Sequence, residues 1–112
     1  MRIAIPVFQG KLSLHFGHCD QFAIVDTDIE EKRISEIRME TAPSHEPGAL
    51  PRWLNEQDVR LVIAGGMGNR AQMLLGENGI EVLVGAPCES AEDVVNAYLQ
   101  GTLETGANIC DH

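Results

Sequence analysis

His15-Phe16-Gly17-His18-Cys19 places two imidazoles and a thiol within five residues. Gly17 leaves the backbone free to turn, so these side chains can converge on one ion. Thiolate and imidazole select zinc, copper or an iron-sulfur type centre over magnesium or calcium, whose hard ions take carboxylate oxygens. The same donor types recur at His45, inside the Pro- and Gly-bearing stretch Thr41 to Gly48, and at Cys110 and His112. Taken singly, each is an ordinary loop residue; together they form a soft-metal donor set spread over separate loops. No Cys-x-x-Cys pair is present, which sets aside a zinc finger.

A second constellation is Gly65-Gly66-Met67-Gly68-Asn69-Arg70, between an apolar run and a helical pattern. Unpaired N–H groups and the positive end of the macrodipole attract an anion to such a helix start, and Arg70 adds a charge. The plainer reading is a tight turn. A P-loop is excluded because no Lys-Ser/Thr pair follows the last glycine. Gly66-x-Gly68-x-x-Ala71 matches the dinucleotide fingerprint only loosely, since Val84 is followed by Gly85-Ala86-Pro87 where an acidic residue is required. Nucleophilic catalysis has little support, because His18 and Cys19 are chain neighbours without a third group to orient a base. Cys88, after Pro87, reads as a packed or free thiol.

These residues are positioned by short, legible elements. Arg2 to Val7 reads as a strand closed by Pro6, with Phe8 to Asp20 as the loop beyond it. Gln21 to Thr27 and Arg33 to Glu40 read as an antiparallel hairpin, the second strand charged on alternate positions like an edge. Leu50, Trp53 and Leu54 share a helical face, and Pro51 suits the first turn. Leu61 to Ala64 is apolar without alternation, as in the centre of a parallel sheet. Ala71, Leu74 and Leu75 resume helical spacing until Asn78-Gly79, and Glu81 to Val84 is read as the next buried strand. Ser90 and Asp93 form a capping pattern before the stripe Ala91, Val94, Val95, Tyr98, Leu99. The order β, β, β, α, β, α, β, α implies an α/β fold with a mixed sheet of about five strands and helices on its faces.

Length and charge narrow the function. A chain of 112 residues fits one domain, here placed at 1–101, with 102–112 as a flexible Cys/His-bearing tail. The net charge of −9, without a basic cluster, disfavours nucleic acid, whose binding requires Lys and Arg to release counterions. No apolar run reaches the roughly 18 residues of a membrane span, so a cytoplasmic location with no membrane partner is expected. Three cysteines without an export signal favour reduced thiols or metal thiolates over disulfides.

The motifs His15-Phe16-Gly17, Gln21-Phe22-Ala23-Ile24-Val25-Asp26, Gly65-Gly66-Met67-Gly68 and Gly79-Ile80-Glu81-Val82 resemble the dinitrogenase iron-molybdenum cofactor biosynthesis family. That family includes the NifX type, the C-terminal domain of the NifB type, and the small orange proteins. The resemblance implies a ribonuclease-H-like, three-layer α/β/α fold with a five-stranded mixed sheet. It also implies a non-catalytic carrier of a metal-sulfur cluster, of iron-molybdenum or molybdenum-copper type, serving a client or scaffold metalloprotein. His15 falls on the family's His-Phe-Gly motif. His18, Cys19, His45, Cys110 and His112 rest on donor chemistry alone, and a mononuclear zinc or copper site built from them is the alternative. A ribonuclease-H-like fold also raises a magnesium nuclease, but Arg2 to Val7 carries no acid and Leu61 to Ala64 ends in glycines, so the required carboxylates are missing.

Overall fold

The computed structural model describes residues 1–13, 20–43 and 48–106. Strands β1 (Arg2–Phe8), β2 (Lys11–Leu12), β3 (Gln21–Asp28) and β4 (Arg33–Thr41) precede α1 (Ala49–Glu56), β5 (Leu61–Ile63), α2 (Asn69–Glu77), β6 (Glu81–Leu83) and α3 (Ala91–Gln100). They form one mixed sheet of six strands in the order β4-β3-β1-β5-β6, with β2 paired to β1. β1 runs antiparallel to β2 and β3 and parallel to β5, which is parallel to β6.

Side-chain alternation splits the core into two faces. Ile3, Ile5, Val7, Ala23, Val25, Leu61 and Ile63 pack with Val94, Val95 and Leu99 of α3. Ala4, Phe22, Ile24 and Val62 pack with Leu54 of α1 and Leu75 of α2. Trp53 adds an edge-to-face contact with Phe22, ring centroids 5.8 Å apart. Helices thus cover both faces of the sheet, and among the described residues none is long and apolar enough to cross a membrane.

Three expectations change. The sheet has six strands rather than five, because β2 lies inside the stretch read as a plain loop. Gln9 and Gly10 both take positive φ, 53° and 84°, the geometry of a tight hairpin turn, which folds Lys11 and Leu12 back onto Phe8 and Val7. Second, β1 runs through Pro6 and one residue past the expected Val7, to Phe8. The Pro6 carbonyl accepts from Ser13 N at 2.8 Å, which keeps the strand paired past a residue that has no N–H to give. Third, β6 is half-exposed rather than buried, because it is the last strand of the sheet.

The remaining local rules hold. The Ser90 hydroxyl caps α3 by accepting from Asp93 N, and Gly101 ends the helix at φ 74°. Gly79 follows α2 at φ 74°, the left-handed position after a helix that glycine fills without strain. A bulge sits in the hairpin, where Asp26 faces Glu36 but Thr27 faces Ile34, leaving Ser35 as the extra residue.

Candidate functional site

The parallel pairing of Ile3 with Leu61 and Ala4 with Val62 turns the C-terminal ends of β1 and β5 to the same side of the molecule. Four chain segments meet or leave the sheet at that end. The stretch 14–19, with His15, His18 and Cys19, lies outside the described residues, but its flanks are fixed: Ser13 N donates to Pro6 O at 2.8 Å and Asp20 N to Val7 O at 3.0 Å. Both flanks are therefore tied to consecutive residues of β1.

The stretch 44–47, with His45, also lies outside the described residues. It follows β4, whose last residue Thr41 pairs with Gln21, which in turn pairs with Val7. Its departure point is the same end of the sheet. The stretch 107–112, with Cys110 and His112, is likewise not described, but it begins after Gly106, whose N–H donates to Gly85 O at 2.7 Å. Gly85 N in turn donates to Gly65 O at 2.9 Å. Thus the C-terminal stretch starts one hydrogen-bonded residue away from the glycine loop.

Gly65 to Arg70 is fully described. Gly65, Gly66 and Met67 are buried, Gly68 is half-buried, and Asn69 and Arg70 are exposed. The Met67 side chain fills the core beneath α2, which anchors the loop from below. The left-handed glycines among the described residues are Gly10, Gly48, Gly79, Gly85 and Gly101, so the glycines of this loop are not there to permit positive φ. At Gly68 a side-chain carbon would enter open space, so nothing in the chain packs against that position.

Gly68 caps α2 with extended geometry and no side-chain acceptor, and the first turn holds no acid. Among the described residues no side chain caps the early N–H groups of this nine-residue helix, and Arg70 stands in the first turn. Gln72 Nε2 donates to Met67 O at 3.0 Å and ties the loop to the helix.

Residues 102–106 of the stretch read as a tail run back along the loop after β6. Thr102 N donates to Ala97 O at 2.9 Å, Leu103 packs on the α3 side of the core, and Gly106 reaches Gly85. They enclose an open cavity of about 510 Å³ with Gly85, Pro87 and Glu89. Cys88, on the same loop, is free and exposed rather than packed. Its loop follows β6, the last strand of the sheet, and no sequence pattern marks the exposure. Among the described residues no group of three or more His, Cys, Asp or Glu side chains converges, so Cys88 stands without described partners for a metal.

The stretches bearing soft donors thus leave from the end of the sheet that also holds the glycine loop and the start of α2, in a small α/β protein with one mixed sheet. A family model described as dinitrogenase iron-molybdenum cofactor matches residues 1–101, and the chain belongs to that family. An uncharacterized protein of Methanocaldococcus jannaschii is 32% identical over 107 residues, 93% of this chain and 90% of its own length. The crystal structure of PH0822 superposes with a TM-score of 0.84 at 29% identity, covering 95% of this chain and 96% of that one. The apo form of the orange protein from Desulfovibrio gigas shares the fold, with a TM-score of 0.73 at 21% identity over 96% of this chain and 93% of its own. The family takes its name from the iron-molybdenum cofactor of dinitrogenase, which ties the chain to the biology of that cofactor.

Proposed function

We propose that this chain binds and carries an iron-molybdenum or related metal-sulfur cluster, or its precursor, and hands it to a client or scaffold metalloprotein in the cytoplasm without catalysing a reaction. The observation that supports this reading most is the departure of every donor-bearing segment from one end of the sheet, around the glycine loop. The cluster is cargo. Its anionic sulfides suit the backbone N–H groups of the loop Gly65, Gly66, Met67, Gly68 and Asn69 at the start of α2 and the charge of Arg70, while His15, with His18 or Cys19, ligates or caps a metal. His45, Cys110 and His112 are the further donors. Residues 1–101 form the carrying domain, of ribonuclease-H-like architecture, and 102–112 the Cys/His-bearing tail.

The donor chemistry fits this cargo. Imidazole and thiolate are soft to borderline ligands, matched to iron, copper and sulfide-bound metals. The chain's charge of −9 repels an anion at long range, yet that repulsion is screened beyond about 8 Å at physiological salt, whereas hydrogen bonds and metal bonds act at contact. A single zinc or copper ion is the second reading, favoured by the two imidazoles and the thiol within five residues.

Purification of the untagged protein under strict anaerobiosis, with iron, molybdenum, copper, zinc and acid-labile sulfide measured together, separates the two. Cluster carriage predicts iron, molybdenum or copper accompanied by sulfide, and His15→Ala then loses metal while thermal unfolding stays unchanged. Zinc at about one per chain without sulfide replaces it with the mononuclear site. A protein that remains empty after reconstitution with metal and sulfide refutes both.

A further inference from the structure

The two edges of the sheet are unlike. β6 is three residues long and half-covered, whereas β4 is nine residues long, contains no proline, and has no described strand on its outer side. A long edge with unpaired N–H and C=O groups is a template for another strand. On the α3 face Ile37 and Met39, opposite the fully buried Val25 and Ala23, are 39% and 45% exposed. On the other face Arg38 and Glu40 of the same chain stand 3.9 Å apart.

The pattern of β4 decides which strand fits. Two copies that pair antiparallel about a two-fold axis normal to the sheet must place that axis on a residue, so that opposed side chains share a face. An axis on Glu36 or Arg38 sets like charges against each other. An axis on Ile37 puts Met39 opposite Ser35, the bulged residue, where the ladder is broken. An axis on Met39 uses only the regular run. Met39 then faces Met39 of the second copy, Ile37 faces Thr41, and Arg38 faces Glu40 twice. Each chain's own Arg38 and Glu40 complete a cluster of four alternating charges.

Charge also favours this edge for self-association. Arg33, Glu36, Arg38 and Glu40 sum to zero, against −9 for the whole chain, so two copies meet least repulsion here. We propose that β4 is a homodimer interface in which two copies pair antiparallel about Met39, making one continuous sheet. This association would turn the Gln21 and Thr41 end of each copy, from which the stretches 14–19 and 44–47 depart, toward the axis. It does not depend on what the chain carries.

Sedimentation equilibrium of the full chain over micromolar concentrations tests it. The wild type is expected to be dimeric, and Met39→Lys, which sets two ammonium groups on the axis at an exposed position, should raise the dissociation constant at least about tenfold. Arg38→Glu and Glu40→Arg should each weaken the dimer, and mixing the two variants should restore association, because the mixed pair, like the wild type, opposes unlike charges at both contacts. Arg38 also bonds Gln57, so circular dichroism and thermal unfolding of each variant confirm that it is folded. Glu36→Arg should leave the dimer intact. A wild type that stays monomeric overturns the proposal and leaves the edge to a strand of another protein; a dimer indifferent to Met39→Lys, or broken by Glu36→Arg, overturns this pairing.

Discussion

The two ends of the central strands are built to opposite rules. At the N-terminal end of β1 polar groups are closed on one another. Arg2 Nε donates to Asp26 Oδ1 at 2.6 Å, its Nη1 donates to Gln57 O at 2.6 Å, and Arg38 approaches the other Asp26 oxygen at 3.9 Å. Backbone bonds from Thr27 to Met1, Arg60 to Arg2 and Glu81 to Arg60 lace the adjacent strands together there. At the C-terminal end the helix α2 starts without a side-chain cap, Gly68 faces open space, and the donor-bearing stretches depart. One end spends its polar groups on the chain itself, while at the other no described side chain caps α2 and the stretches that carry the soft donors leave the sheet. A small sheet can thus concentrate its charged side-chain fastening at one end while its longer connections leave from the other.

The sharpest way to break this contrast is where the start of the C-terminal stretch is fastened to the open end. Gly85 has φ 83°, and a side-chain carbon there would collide with the backbone of Gly106. Gly85→Ala should cost about 2 kcal/mol, from the left-handed backbone and the forced separation of the two chains. Amide hydrogen exchange at Gly106 should quicken while the exchange of Arg60 and Thr27, at the closed end, changes only as far as global stability does. Equal exchange at Gly106 in both proteins would show that the bond between Gly106 and Gly85 does not hold the C-terminal stretch.

At the closed end, Asp26→Asn should destabilise by about 1–2 kcal/mol, since it removes the charge from a hydrogen-bonded pair that is only partly shielded from solvent. For a chain of this size that is a fall in Tm of about 5–10 °C. Arg2 holds the Asp26 carboxyl below its usual pKa, chiefly by the side-chain hydrogen bond and then by its charge, against the opposing effect of burial. The folded pKa lies below the unfolded one, so this contribution is complete above the unfolded value near about 4 and is lost as the pH falls through the folded value. Wild type and Asp26→Asn should therefore differ in urea midpoint at pH 7 and converge as the pH is lowered below about 4. A difference that persists unchanged in acid would remove the ion pair as its cause.

Much of this frame was legible in the sequence because local rules and tertiary packing agree. The stripe Val94, Val95, Leu99 with Ser90 before it could only be a helix packed by one face, and α3 is that helix. The charges at alternate positions of β4 marked a sheet edge, and β4 is one. β2 was missed because a two-residue strand has no periodicity to detect; its signal was the turn Gln9-Gly10 alone. The exposure of β6 was missed because an apolar run reads alike in the centre and at the end of a parallel sheet. The glycine loop was legible as a strand-to-helix junction, but not which of its residues would be reachable, because that depends on Met67 turning into the core. No sequence rule joined the stretches 14–19, 44–47 and 107–112, since only the register of the strands brings their starting points to one end.

The smallest effect on stability should accompany the most telling effect on binding. Gly68 has φ −68° and ψ 159°, an extended conformation that alanine adopts without strain, and its added methyl would meet no atom of the chain. Gly68→Ala should therefore change folding stability by less than about 0.5 kcal/mol. If the open space beside Gly68 is where sulfide approaches the α2 N–H groups, the same methyl stands in the path of the cluster. Cluster retention, measured as metal and labile sulfide per folded chain after anaerobic desalting, should then fall severalfold with no shift in Tm. Asp26→Asn should show the reverse, a lower Tm and full retention. A glycine that tolerates alanine in both measurements would move the contact from the helix start to the histidine- and cysteine-bearing stretches, and the contrast between the two ends would then rest on ligand bonds alone.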